Sequence, residues 1–145
     1  MDETVDFREL LSRPTETAER PRALPDGHYK ATISNHEFDR SKNKQTPYVR
    51  LFFRINEQTA DVDPAAVAGI DFSRIELRKD YFITPRSLYR LADMLDAVLG
   101  KESGRSYDER IPNTRGASVI IGVTERKNDD GTSSGFNDVT TVVAA

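Results

Sequence analysis

Apolar and polar residues alternate through much of this chain, most cleanly between Thr46 and Ile55. Read with a period of two, Val49, Leu51, Phe53 and Ile55 make one apolar face, while Tyr48, Arg50, Phe52 and Arg54 interleave rings and guanidinium groups on the other. The same period predicts a first strand over about 28–37, with Tyr29, Ala31 and Ile33 inward and His28, Lys30, Thr32 and Ser34 outward. Continued, it puts His36 on the face of His28. A third strand is predicted over 72–83, with Ile75, Leu77, Tyr81 and Ile83 inward, Lys79 interrupting them, and Arg74, Glu76, Arg78, Asp80 and Phe82 outward. A fourth spans 117–125 around inward Val119, Ile121 and Val123, and a fifth spans about 134–143. The period changes to that of a helix after Thr84-Pro85, which reads as an N-cap followed by a first-turn proline. Leu88, Leu91, Ala92, Leu95, Val98 and Leu99 form its apolar stripe, and Gly100 closes it.

Turn chemistry separates these segments. Leu24-Pro25-Asp26-Gly27 precedes the first strand, a polar loop over 39–46 joins strands one and two, and Lys127–Gly131 joins strands four and five. A long acidic connection covers 56–70, and a polar loop covers 101–116. Three strands, one capped helix and two strands is the order of a five-stranded Greek-key barrel of the OB-fold, with its helix between strands three and four. The chain therefore reads as one mainly β domain over 24–145, preceded over 1–23 by a flexible or partly helical tail. In that tail Phe7, Leu10 and Leu11 share a helical face, but prolines and charges oppose a packed element.

Composition narrows the function classes. The 145 residues include no cysteine, which removes disulfides and thiolate metal sites. No apolar run approaches the roughly 18 residues of a membrane span, and the Met1-Asp2-Glu3 start is unlike a basic leader, so the expectation is a cytoplasmic protein. The net charge of −3 opposes non-specific adhesion to nucleic acid. Its distribution changes the picture, because residues 40–54 carry five bases, Arg40, Lys42, Lys44, Arg50 and Arg54, and no acid. Local charge favours an anion there.

In an OB-fold, strands two and three and the loops beside them carry the ligand. Here both strands present rings and bases outward, and the first of those loops is basic. Rings stack on bases and cations meet phosphates, the chemistry that grips single-stranded nucleic acid. The candidate site is therefore Tyr48, Phe52 and Phe82 for stacking, with Lys42, Lys44, Arg50, Arg54 and Arg78 for phosphate. Catalysis is not expected: no phosphate loop, serine elbow or paired-histidine zinc motif occurs, and Asp129-Asp130-Gly131 reads as a turn, not a calcium loop. No cofactor or metal is expected either.

Leu24-Pro25-x-Gly27-x-Tyr29, Ser41-Lys42-x-x-x-Thr46-Pro47-Tyr48-Val49 and the late Phe136-Asn137-Asp138-Val139 resemble segments of small bacteriophage and prophage single-stranded DNA-binding proteins of the OB-fold group. The resemblance covers about 24–143 and implies a role in phage replication or recombination, coating exposed DNA inside a bacterial host. It extends to Ser41, Lys42, Thr46, Pro47 and Tyr48; the arginines come from the facing argument alone. Single-strand binders of bacteria often end in an acidic tail that recruits partners, whereas Thr141–Ala145 has no acid. Replication or recombination proteins of phage or host, and a second copy of the chain, are the further partners compatible with this reading. The alternative is an OB-like phage module that uses the same face to bind protein, since aromatics and arginine also enrich protein interfaces.

Overall fold

The computed structural model describes Arg8, Leu11, Ser12 and residues 23–145. Phe7, Leu10 and most of the tail lie outside the described residues. The described chain runs β1 (Gly27–Arg40), β2 (Pro47–Gln58), β3 (Glu76–Phe82), α1 (Leu88–Leu99), α2 (Tyr107–Arg110), β4 (Ser118–Lys127) and β5 (Ser133–Ala144). All strands are antiparallel to their neighbours in one sheet of order β3-β2-β1-β4-β5.

The alternation set the inner face correctly. Tyr29, Ala31, Ile33, Val49, Leu51, Phe53, Val119 and Ile121 are buried, and Leu91, Met94 and Leu95 of α1 close over them. Burying each large apolar side chain contributes about 1.5–3 kcal/mol, so the sheet's inner face and α1 hold most of the fold together. The buried Tyr29 hydroxyl donates to Pro25 O at 2.7 Å, and burial, then Asp61 and Asp26, push its pKa up to about 12. The turn before β1 is fastened to the far edge of the sheet. Leu24 N donates to Asn137 Oδ1 at 2.8 Å, Asn137 Nδ2 returns to Leu24 O at 2.9 Å, and Asp26 Oδ1 accepts from Glu125 N. Gly27 is required there: its φ is +151°, and a Cβ would meet Val62 Cγ2 at 2.4 Å.

The expected closed barrel is not formed. β3 and β5 each pair with one strand, and no ladder joins them. They run side by side in the same direction, and Lys79 Nζ reaches across the gap to donate to Val139 O at 3.0 Å. Three local expectations also change. The predicted third strand begins late, because Asp71 Oδ1 accepts from Ser73 N and Oγ and turns Phe72–Arg74 into a 3-10 segment. Thr84 does not cap the helix; its hydroxyl closes a turn on Ser87 N, and α1 starts at Leu88. The polar loop after α1 contains α2 and a further 3-10 turn, Ile111–Thr114, in addition to the one expected helix. Arg110, 6% exposed, folds back from α2 so that its guanidinium donates to Asp96 Oδ1 at 2.8 Å and to the Leu95 and Gly100 carbonyls. It thus satisfies the Gly100 carbonyl just past the C-terminus of α1 and adds a bond to the Leu95 carbonyl within its last turns.

Of four register irregularities among the described residues, two in β1–β2 and two in β4–β5, a pair bears on the sheet's facing. Between Ile33 and Asn35 the β1–β2 register shifts by one residue, leaving Ser34 extra. Beyond it, Asn35, Glu37 and Asp39 stand opposite Phe52, Arg50 and Tyr48, whereas His36 and Phe38 stand opposite Leu51 and Val49. His36 is therefore on the other face from His28. A second bulge sets both Thr140 and Thr141 against Gly122, where a Cβ would lie 2.9 and 2.4 Å from their hydroxyls.

Candidate nucleic-acid interface

The outer faces of β2 and β3 meet in register. Tyr48 pairs with Phe82, Arg50 with Asp80, Phe52 with Arg78 and Arg54 with Glu76. Tyr48 is only 9% exposed, its ring edge-on to Phe82 at 5.9 Å and covered by the Arg50 guanidinium at 5.3 Å. That ring is walled in. Arg50 is also committed: Nε and one terminal nitrogen grip Asp80 at 2.7 and 3.0 Å. This hydrogen bond raises the Arg50 pKa well above the ordinary arginine value. Phe52 is half-buried, Phe82 is 44% exposed, and Arg54 and Arg78 are exposed with no ion pair among the described residues. Lys42 and Lys44 sit exposed at the tip of the β1–β2 hairpin, where Ser41 Oγ accepts from Thr46 N at 3.0 Å. The segment that looked purely basic in sequence becomes mixed in space, because the Ser34 bulge brings Glu37 and Asp39 opposite Arg50 and Tyr48.

A cleft of about 590 Å³ opens beside this face, between β3 and the start of β5. Five cations line it: Arg50, Arg74, Arg78, Lys79 and Arg126, against Glu76, Asp80 and Asp138. Asp80 is taken by Arg50, and Asp138 by Arg126, whose Nε lies 3.4 Å from Oδ2. Phe136, 60% exposed, stands on its wall and pairs in register with Arg126. Phe52 against Arg78 and Phe136 against Arg126 thus repeat one ring-plus-guanidinium pairing on two sides of the open seam. Lys79 takes an inner-face position, with its Nζ 5.5 Å from the centre of the Tyr81 ring. Desolvation, then Arg90, lowers its pKa.

Sequence reasoning missed Arg74, Lys79, Arg126 and Phe136. Phe136 was visible in the late motif, and its pairing with Arg126 follows once the hairpin register is known. Nothing in the sequence says that β3 and β5 fail to close.

Elsewhere, His28 Nδ1 lies 2.7 Å from Asp61 Oδ2, and Asp61 Oδ1 accepts from Thr59 Oγ1 at 2.6 Å. Those bonds, Thr59 first, pull the Asp61 pKa down to about 2. Among the described residues no group of three or more histidine, cysteine or acidic side chains could hold a metal ion, and no helix is long and apolar enough to cross a membrane. Compared with known proteins, the chain matches no family model and no curated protein.

Proposed function

We propose that this chain is a non-enzymatic binder of single-stranded DNA with little sequence preference. The observation that carries the reading is the cationic cleft at the β3–β5 seam, with exposed Phe136 on one side and the Phe52–Arg78 pair beside it. Cations track a phosphate backbone and rings accept any base, so this wall suits a strand whose bases are free to stack. We read the fold as an opened OB-fold: the spatial order β4-β1-β2-β3 is that of a Greek key, and β3 and β5 are the strands whose approach would close the barrel. The resemblance to phage proteins adds replication or recombination in a bacterial cytoplasm as the setting.

Fluorescence anisotropy with labelled oligo-dT and a duplex control tests the reading. Binding to the single strand, weaker on duplex, is expected. Contact with three to four phosphates gives a slope of log affinity against log salt of about −2 to −3. Absence of oligo-dT binding at low salt ends this reading. It would favour the protein-interface alternative, to which the internal Arg50–Asp80 and Arg126–Asp138 pairs also lend support.

A further inference from the structure

The seam holds a second cleft, of about 560 Å³, farther along the same two strands. Residues 74–80 of the chain face 135–139 at the first cleft, and 79–82 face 140–143 at the second. Lys79 and Asp80 line both, so the clefts meet end to end at the Lys79–Val139 bridge. The second cleft continues onto α1 through Arg90 and Met94.

Its chemistry repeats that of the first. Phe82 is 44% exposed on its wall, and Tyr89 of α1, 56% exposed, does not line the cleft itself but sits against Arg90, which does. The Arg90 guanidinium lies 5.7 Å from the Tyr89 ring centre and its Nε donates to the Tyr89 hydroxyl at 3.1 Å, a neutral partner. Lys79 donates only to a carbonyl, and neither cation has an ion pair among the described residues. Asp80 is held by Arg50, which leaves Asp93 as the other acid at this cleft. Two like charges against an apolar wall of Tyr81, Met94 and Val142 are an unfavourable arrangement that an anion between them would relieve.

We infer that a bound single strand follows the β3–β5 seam past Lys79 onto α1, where Arg90 meets a further phosphate and Tyr89 and Phe82 stack further bases. This path rests on the single-strand reading above. It makes α1 part of the binding surface and lengthens the occupied site beyond the first cleft.

A length series tests it, using labelled oligo-dT of about 4–16 nucleotides, the span of known OB-fold site sizes. The full chain is compared with Tyr89→Ala/Arg90→Ala and with the single charge reversal Arg90→Glu. Both positions are exposed, so melting transitions should match the parent. The shortest oligomers, which fill only the first cleft, should bind all three proteins within about twofold. The longest should bind the double variant about tenfold more weakly, one lost stack and one lost phosphate. Arg90→Glu should weaken only the long oligomers, with a salt slope shallower by about 0.7. Equal losses at every length, or none at any length, would overturn the path while leaving single-strand binding intact. If the parent chain binds no oligomer at low salt, the single-strand reading falls and the path with it.

Discussion

β2 and β3 are hydrogen-bonded neighbours built from the same kind of alternation, yet they differ in what lies behind them. The inner face of β2 is Val49, Leu51, Phe53 and Ile55, all at most 3% exposed, because strands flank it on both sides and the Phe72–Arg74 segment packs against it. The inner face of β3 is Leu77, Lys79 and Tyr81, and its far edge has no strand partner. A central strand can afford no cation inward. An edge strand at an open seam can, because the side chain finds a carbonyl and some water. The binding chemistry gathers where the sheet fails to close, not where its face is most regular.

The largest expected effect tests the sealed strand. Phe53→Ala should cost about 3–5 kcal/mol in chemical denaturation, as a truncation in a packed core. Phe52→Ala, one residue away on the outer face, should cost far less stability but weaken oligo-dT binding by about 1–3 kcal/mol. Equal stability losses for the two would erase the contrast between the faces of β2. Next comes the pair that ties the strands together. Asp80→Ala removes the acceptor that occupies Arg50, and should destabilise by about 1–2 kcal/mol because the pair is half-buried and bidentate. The same variant should bind oligo-dT more tightly, with a salt slope steeper by about 0.7, as Arg50 becomes available to phosphate. Tighter binding without the Arg50 contribution to the slope would place that residue outside the interface.

The smallest effect belongs to Lys79. Its pKa is lowered in the folded protein, so between that value and the ordinary lysine value the unfolded chain binds more protons. Stability conferred by losing the charge therefore rises with pH across that alkaline window. Lys79→Met should be neutral or stabilising by up to about 1 kcal/mol near neutral pH, because it removes a desolvated charge. The difference between variant and parent should shrink as pH climbs through the window. A difference that stays constant with pH would mean Lys79 is fully solvated at the seam.

These contrasts also separate what was legible in the sequence from what was not. The inner faces of β1, β2 and β4 could be read from alternation because each is buried by a neighbour on either side, and periodicity reports burial. The mixed character of the outer face could not. Glu37 and Asp39 come opposite Arg50 and Tyr48 only through the bulge at Ser34, and a one-residue irregularity leaves no periodic trace. Tyr48 looked like a free stacking platform, but its burial depends on Phe82 arriving across the β2–β3 register, which alternation does not give, and on Arg50 of the same face folding over the ring. Arg74, Arg126 and Phe136 lie far apart along the chain and become one wall only when the hairpin registers and the open seam are known.

The bulge at Ser34 also bears on how the length of this chain can vary. Ile33 already pairs with Phe53 and Asn35 with Phe52, so Ser34 is the extra residue between them with no register partner, tied to β2 by its hydroxyl donating to Phe52 O at 3.3 Å. Loss of that one codon would leave every other β1–β2 pair, and every side chain's facing, where it is. Loss of a residue on either side would shift the hairpin against its partner and exchange its two faces. Ser34 is thus a position where a deletion is gentler than most substitutions elsewhere in the strand. What the deletion would take away is curvature, since a bulge bends its strand and tightens the local twist. A straighter β1 would move the hairpin tip, with Lys42 and Lys44, relative to the seam without altering a single charge.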